Sequence, residues 1–228
     1  AGVWKLLRRS GIYESPRMMA LARRLAGPLV AALGATGRVT AGGHREAVSR
    51  FVDKSVHAGL WMELLLRVLP DCRVIHVTRE PARTIGSMAV AWQQVDRFRT
   101  YDLPCRGKEV PWCFGLPRGW EQLLDEPVEV ICAHQWVAVN QGILDYRDRL
   151  DGEGRYHQLR LERLVTEPRS EIQALIDFLQ CADGDYWNVL RQEIPRINAS
   201  SVPAREMTPA LQGRIEQVVA PSRKALGY

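Results

Sequence analysis

Apolar side chains along this chain recur in two alternating spacings, one typical of helices and one typical of strands. The stretch 51–52 is short and apolar, and the segment 60–69 then places its apolar residues on one face of a helix that Pro70 ends. Residues 73–78 form a short run rich in β-branched side chains, which predicts a buried strand, and Pro81 suits the first turn of a following helix. The order strand, helix, strand, helix is typical of a parallel sheet covered by helices on both faces.

Further helices and one further strand are predicted on both sides of this region. Thr208 and Pro209 have the N-cap and first-turn chemistry of a final helix that runs toward Gly227. The other predicted elements are helices over 2–9, 14–33, 130–150 and 171–179, and a strand over 156–161. No internal repeat or low-complexity tract interrupts this pattern, so we expect a single domain over 1–228.

The segment 93–129 follows neither spacing. It is charged, aromatic and interrupted by prolines, and we interpret it as a long loop or lid. Trp92, Trp112 and Trp120 flank this segment or lie within it, and two interpretations of them stay open: the rings line a binding pocket, or they belong to the core. A tryptophan at helical spacing is more often a core residue.

Composition and charge indicate a globular protein with an anionic ligand. With 228 residues, 46% of them hydrophobic and 25% charged, the chain can bury one sizeable core. A formal net charge of +5 suits a protein that handles anions, but the basic residues are scattered, so a nucleic-acid polymer is not the expected partner. No apolar run long enough to span a membrane occurs, and the first residues lack a secretory-signal pattern, so we expect no membrane insertion and a cytoplasmic location.

The cysteines support the same location. Five cysteines, without a CxxC pair or a cluster at zinc spacing, favour reduced thiols in the cytoplasm, and no metal is expected. A disulfide between Cys105 and Cys113 is the alternative, if the protein meets an oxidising compartment.

The most specific motif is the segment 70–81 together with the residues that follow it. The predicted strand leads into Arg79, Glu80 and Pro81, and Ser87 lies eight residues after the arginine. This motif resembles the 3′-phosphate-binding element of the sulfotransferases that use 3′-phosphoadenosine 5′-phosphosulfate, in which Arg-Asp-Pro follows the strand. A guanidinium fork and a hydroxyl would together bind one phosphate. The alternative is that Arg79 only pairs with Glu80 or caps a neighbouring helix.

The resemblance implies a fold, a reaction and a donor. The fold is of the α/β class: a helix-rich, three-layer α/β/α arrangement like that of the P-loop NTPases, with a central parallel sheet whose carboxyl edge binds ligands. The reaction is transfer of a sulfuryl group from 3′-phosphoadenosine 5′-phosphosulfate to a hydroxyl or amine of a small molecule or carbohydrate. The segment 93–129 matches no part of the family, and because variable loops of this kind usually shape acceptor choice, we expect it to lie on the acceptor side.

The resemblance also implies catalytic candidates. Lys54 lies at the end of a predicted strand, as the family's lysine does, and a lysine there stabilises charge on the leaving phosphate or the transferred group. The acceptor loses a proton as it attacks, which requires a base. His57 and Glu14 are the two main candidates for this base, and His44 and Glu46 are weaker ones.

Segments nearer the carboxyl terminus resemble the same family. The stretch 160–168 resembles its Arg-Tyr-Glu-Asp-Leu-Val-x-x-Pro segment, in which Glu162 would anchor a strand-to-helix turn, and 226–228 matches a common ending. In relatives a loop before the final helix lies over the nucleotide, although an ordinary polar linker is the alternative here. The residues that this loop would direct at the 3′-phosphate are Ser200, Ser201 and Arg205.

One element of the family is not recognisable in this sequence. The family normally opens with a strand and a polar, glycine-containing loop whose backbone amides cradle the 5′-phosphosulfate. We expect that loop to precede Ala1. Two other interpretations are therefore kept. One is a non-catalytic nucleotide- or anion-binding module of the same fold; the other is a P-loop-like kinase, although no Gly-x-x-x-x-Gly-Lys-Ser/Thr loop is present.

Overall fold

The computed structural model describes residues 54–105, 107–180 and 207–228. The chain divides into two compact units: of the described residues, Lys54 and Glu63–Asp71 belong to one, and Ser55–Met62 with Cys72–Tyr228 belong to the other. The helices predicted over 2–9 and 14–33 and the strand predicted at 51–52 lie outside the described residues. The expectation of a single domain stays a prediction.

The described residues form a helix-rich chain with four strands. A 3₁₀ turn spans Ala58–Trp61, and a second one spans Trp120–Leu123. The helices are α1 Met62–Val68, α2 Pro81–Trp92, α3 Val95–Phe98, α4 Val128–Gly152, α5 Leu161–Thr166, α6 Pro168–Leu179 and α7 Pro209–Ala225; the strands are β1 Val74–Thr78, β2 Arg99–Cys105, β3 Lys108–Cys113 and β4 Tyr156–Arg160. The helices and strands predicted in these parts of the chain are therefore confirmed, except in the segment 93–129.

Strands β1 and β4 form the parallel sheet that the alternating pattern predicted. Their register runs from Val74 opposite Tyr156 to Thr78 opposite Arg160. Helix α4 packs on one face of this pair, where His76 contacts Asn140. Helix α6 packs on the other face, where Phe178 stacks on the ring of His157 with centroids 5.2 Å apart. Helices thus cover both faces of a parallel sheet, and the predicted α/β/α fold is confirmed.

Helix α4 is the centre of the main core. It packs against α2, α7, the first 3₁₀ turn and β4. Its apolar side chains meet those of α2 and α7 in one cluster, which comprises Ile85, Ala89, Cys132, Ala133, Trp136, Leu144, Ile215, Val219 and Leu226. Because an apolar side chain contributes about 1.5–3 kcal/mol when it is fully buried, burial of this cluster stabilises the unit that contains it.

The segment 93–129 is more ordered than the sequence predicted. Strands β2 and β3 form an antiparallel hairpin with a register shift between Arg99 and Tyr101. Each strand buries few side chains, namely Leu103 on β2 and Trp112 and Cys113 on β3, and its other positions are half-buried or exposed. The expectation of an irregular loop over this whole segment was therefore wrong, because a hairpin with one small buried face gives a weak strand pattern.

The tryptophans of this region are core residues. Trp112 is 1% exposed and packs edge-on against Trp92, with ring centroids 5.3 Å apart, and against Trp120, with centroids 6.0 Å apart. Trp120 is 8% exposed, so the core interpretation is confirmed for Trp112 and Trp120, and the half-buried Trp92 packs against the same cluster. Cys105 and Cys113 are both free thiols and lie at opposite ends of the hairpin, so the alternative of a disulfide between them is also wrong.

Helix α4 and the first 3₁₀ turn approach each other backbone to backbone. A Cβ atom at Gly59 would overlap the carbonyl oxygen of Val139 and lie 2.7 Å from its carbonyl carbon. A Cβ atom at Gly142 would likewise overlap the carbonyl oxygen of Gly59 and lie 2.8 Å from its carbonyl carbon. Only glycine fits at either position, because the neighbouring atoms are backbone atoms that cannot rotate away.

A buried polar network joins the sheet to α4. His76, which is 3% exposed, lies with Nε2 2.9 Å from Oδ1 of Asn140 and Nδ1 3.0 Å from the hydroxyl of Tyr156. Since Nδ2 of Asn140 donates to the carbonyl of Trp136, its Oδ1 accepts from Nε2 of the histidine. In the neutral ring, Nδ1 then accepts from the tyrosine hydroxyl. Burial lowers the pKa of His76 below its ordinary 6.5; the Asn140 hydrogen bond raises it and Arg147 lowers it.

Acid is therefore expected to destabilise the protein through His76. The unfolded chain binds a proton at this residue more readily than the folded chain, so stability is lost as the pH falls below about 6.5. Urea unfolding at pH 7.5 and pH 5 measures the effect. The variant His76→Gln removes the titrating group and should lose less stability between the two pH values than the parent. Equal losses would show that His76 is not responsible.

Candidate functional site

The motif of the candidate site lies where β1 ends. Thr78, the last residue of β1, is 3% exposed, and Arg79 and Glu80 link it to Pro81, the first residue of α2. Arg79 is half-buried, and within the described ranges its guanidinium has neither an ion-pair nor a hydrogen-bond partner. A partly buried cation with no such partner is suited to bind an anion from solution.

Glu80 caps helix α2 and does not pair with Arg79, as the alternative interpretation had it. Its carboxylate accepts from the backbone N–H of Arg83 at 2.9 Å and so caps α2. The hydroxyl of Thr84 donates to the Glu80 carbonyl at 3.1 Å. Glu80 is thus the N-cap residue of α2. Its carboxylate binds the first turn of the helix and forms no ion pair with Arg79.

Ser87 lies two helical turns into α2 and is half-buried. It follows Pro81 by about 9 Å along the helix axis, since an α-helix rises about 1.5 Å per residue. Side chains of a helix tilt toward its N-terminus, which is the end where Arg79 lies. The structure therefore gives the two side chains a compatible direction along the helix, and their joint binding of one phosphate stays a prediction.

The carboxyl edge of β4 lies directly beside that of β1. Glu162, two residues after β4, accepts from the backbone N–H of Glu80 at 2.9 Å through Oε1. Its Oε2 lies 3.1 Å from the hydroxyl of Tyr228, which in turn lies 3.1 Å from Oγ1 of Thr78. Burial raises the pKa of Tyr228 to about 12, so its hydroxyl stays protonated. The predicted anchoring by Glu162 therefore acts on the turn after β1.

A polar cleft of about 280 Å³ opens at the same edge. Arg160 and Arg163 contribute positive charge to it, and Glu171 pairs with Arg163 at 2.8 Å. The residues that line the cleft are Gln158, Arg160, Arg163, Glu171, Leu226 and Gly227. The carboxyl ends of the two parallel strands thus meet at a polar surface, as expected for ligand binding in an α/β fold.

His57 occupies the N-cap position of the first 3₁₀ turn and is half-buried. Its backbone N–H donates to Oγ of Ser55 at 3.3 Å. A Cβ atom at Gly115 would lie 3.4 Å from Cδ2 of its ring, so the chain that leaves the hairpin passes close beside this histidine.

Gln135 and Trp112 hold Gly115 in that place. The Gly115 carbonyl accepts from Nε2 of Gln135 at 2.7 Å and from Nε1 of Trp112 at 3.2 Å. Gln135 is 2% exposed and also donates to the carbonyl of Cys113 at 2.7 Å. Gln135 was not among the predicted functional residues, because a glutamine within an amphipathic helix carries no signal of such a role.

The other predicted site residues belong to the other compact unit or lie outside the described ranges. Lys54 is exposed, lies outside any described strand and belongs to the other compact unit. The residues outside the described ranges are Glu14, His44, Glu46, Ser200, Ser201 and Arg205. Their roles, like the roles of Lys54 and His57 in catalysis, stay predictions.

In the part of the chain that the structure describes, no group of three or more His, Cys, Asp or Glu side chains could hold a metal ion. None of the described helices combines the length and the apolar character that crossing a lipid bilayer requires.

The fold and the edge of β1 define a class of protein. A parallel sheet between helices, with an unengaged arginine where a strand meets a helix, is typical of α/β proteins that bind anionic ligands at the carboxyl edge of the sheet. The model of the sulfotransferase family matches residues 32–185, which is more than half of the chain. The protein therefore belongs to the sulfotransferase family. Searches of curated proteins and of solved structures found no match.

Proposed function

We propose that this protein transfers a sulfuryl group from 3′-phosphoadenosine 5′-phosphosulfate to a hydroxyl or amine of a small molecule or carbohydrate. The observation that supports this function best is the half-buried Arg79 at the end of β1, with no ion-pair or hydrogen-bond partner among the described residues. Membership of the sulfotransferase family agrees with it.

The chemistry of the β1 edge suits the 3′-phosphate of this donor. A guanidinium offers a planar set of donors that matches phosphate oxygens, and the Ser87 hydroxyl would add a further donor. The carboxylate of Glu80 already caps α2, so the phosphate would be bound by side chains at this point and not by the helix terminus. Arg79 and Ser87 are therefore the proposed ligands, and Ser200, Ser201 and Arg205 are proposed as further ones.

The reaction forms a bond between the acceptor oxygen or nitrogen and sulfur. It breaks the bond between sulfur and the bridging oxygen of the donor, and it releases 3′-phosphoadenosine 5′-phosphate and one proton. Removal of this proton requires a base within hydrogen-bond reach of the acceptor. We propose that His57 or Glu14 is this base. Lys54 is proposed to stabilise the negative charge that develops as the bond to the bridging oxygen breaks.

We propose that the hairpin of β2 and β3 forms one side of the acceptor-binding site. Gly115 follows β3 and lies beside the His57 ring, so a base at His57 would face an acceptor held by this part of the chain. A Cβ atom at Gly115 would also lie 2.9 Å from Cδ1 of Leu60, so a larger side chain there would require the residues beside the histidine to move. Segments of this kind often determine which acceptor an enzyme selects.

Calorimetry with 3′-phosphoadenosine 5′-phosphate tests the proposal. Arg79→Ala should weaken its binding by about 1.5–3 kcal/mol, or about 10- to 150-fold, because a hydrogen bond to a charged group is lost. Adenosine 5′-phosphate lacks the 3′-phosphate, and its weaker binding should change little.

Arg83→Ala is the matched control, since Arg83 is an exposed arginine one helical turn further along α2. The control should bind the nucleotide like the parent. Equal affinity in Arg79→Ala and parent would contradict the proposed site, and a preference for ATP would favour a kinase. Nucleotide binding without any sulfuryl transfer would favour a non-catalytic module.

A further inference from the structure

We propose that Tyr228 and Glu162 are positioning residues that hold Arg79 in place for the 3′-phosphate. This inference rests on the proposed function, because it assigns a purpose to the groups around the proposed phosphate ligand. Neither residue is proposed to touch the nucleotide. Both would act through the two neighbours of Arg79 in the chain, which are Thr78 and Glu80.

The residue before Arg79 is held through its side chain. Oγ1 of Thr78 lies 3.1 Å from the Tyr228 hydroxyl and accepts from Nε2 of Gln158 at 3.3 Å. Gln158 lies on β4 and also donates to the carbonyl of Leu226 at 3.0 Å. The last residue of β1 is thus linked both to the neighbouring strand and to the segment that follows α7.

The residue after Arg79 is held through its backbone. The N–H of Glu80 donates to Oε1 of Glu162 at 2.9 Å, and the side chain of Glu80 caps α2. The peptide groups on both sides of Arg79 are therefore restrained, since Thr78 is fixed by Tyr228 and Glu80 by Glu162. Restraining a ligand-binding segment before the ligand arrives reduces the conformational entropy that binding costs.

Tyr228 is itself held from two sides. Its hydroxyl lies 3.1 Å from Oε2 of Glu162, so the two restraints are joined. Its ring lies under the guanidinium of Arg160, 4.5 Å from the ring centroid. Arg160 also donates to the carbonyls of Leu226, at 2.9 Å, and Gly227. If Tyr228 contributed only through packing of its ring, its hydroxyl would not need to lie within hydrogen-bond distance of both Thr78 and Glu162.

The variant Tyr228→Phe removes the hydroxyl and keeps the ring on Arg160. Calorimetry should show about 2- to 10-fold weaker binding of 3′-phosphoadenosine 5′-phosphate, as expected for the loss of one hydrogen-bonding group. Binding of adenosine 5′-phosphate should not change. Glu162→Ala should have the same selective effect, and Glu162→Gln should recover most of the affinity because its amide oxygen can still accept from Glu80.

The double variant Arg79→Ala with Tyr228→Phe separates this inference from the proposed function. If Tyr228 acts through Arg79, its substitution should have no further effect once the arginine is absent. If Arg79→Ala weakens binding but Tyr228→Phe does not, or if both nucleotides are affected equally, the positioning role is wrong and the phosphate site stands. If Arg79→Ala has no effect, the proposed function itself fails. Thermal unfolding confirms that each variant is folded at the assay temperature.

Discussion

Replacing His57 by alanine should lower the rate of sulfuryl transfer by about 10²- to 10⁴-fold, the usual contribution of a general base. The ring is half-buried beside Gly115, next to the exit of the hairpin that we propose to hold the acceptor. Affinity for 3′-phosphoadenosine 5′-phosphate should remain close to that of the parent, because the proposed phosphate ligands lie on other elements. Steady-state rates at saturating donor and acceptor measure the first effect, and calorimetry measures the second.

Two further variants test whether the loss of rate is specific to His57. His134→Ala replaces another half-buried histidine, on α4, and should keep the parental rate. Glu14→Gln examines the competing candidate for the base. A full rate in His57→Ala together with a lost rate in Glu14→Gln would transfer the role to Glu14, and full rates in both would remove both residues from the mechanism.

Replacing Gly59 by alanine should destabilise the fold by about 3 kcal/mol or more. Overpacking of a core ordinarily costs about 1–3 kcal/mol, and here the added methyl group would meet the backbone of Val139, which cannot rotate aside. The first 3₁₀ turn would have to move away from α4, and His57 at its N-cap would move with it. Urea unfolding followed by tryptophan fluorescence measures the loss of stability.

Gly152→Ala is the control for this substitution. Gly152 is the last residue of α4, and a Cβ atom there would have no neighbour within 4 Å among the described residues. Alanine should be tolerated at this position, and it should stabilise the helix slightly because it lowers the backbone entropy of the unfolded chain. Similar unfolding midpoints for Gly59→Ala and the parent would show that the turn adjusts without cost.

The elements that the sequence predicted well have strong local signals. The run 73–78 is rich in β-branched residues, α4 has a long amphipathic pattern, and Thr208 caps α7 by accepting from the N–H of Leu211 at 3.3 Å. The hairpin was missed because most side chains of β2 and β3 are not buried, so apolar and polar residues do not alternate clearly. The pairing of β1 with β4 joins distant parts of the chain, and local patterns do not report such contacts.

The same limit applies to the candidate site. The spacing of Arg79 and Ser87 was visible because both residues belong to one strand-to-helix unit. The groups around them were not visible: the Tyr228 hydroxyl contacts Thr78 across 150 positions, and Glu162 contacts Glu80 across 82 positions. Gln135 was missed for the same reason, since its amide holds Gly115 from 20 positions away.

The link between Thr78 and Tyr228 has a consequence for synthesis of the protein. A ribosome adds about 5–20 residues per second, so about 8–30 seconds separate the appearance of two residues that lie 150 positions apart. During that interval β1 and α2 have been synthesised, but Tyr228, whose hydroxyl contacts Thr78, has not. The nascent chain can therefore collapse around α4 first, and the carboxyl edge of β1 becomes rigid only after α7 has been made and packed.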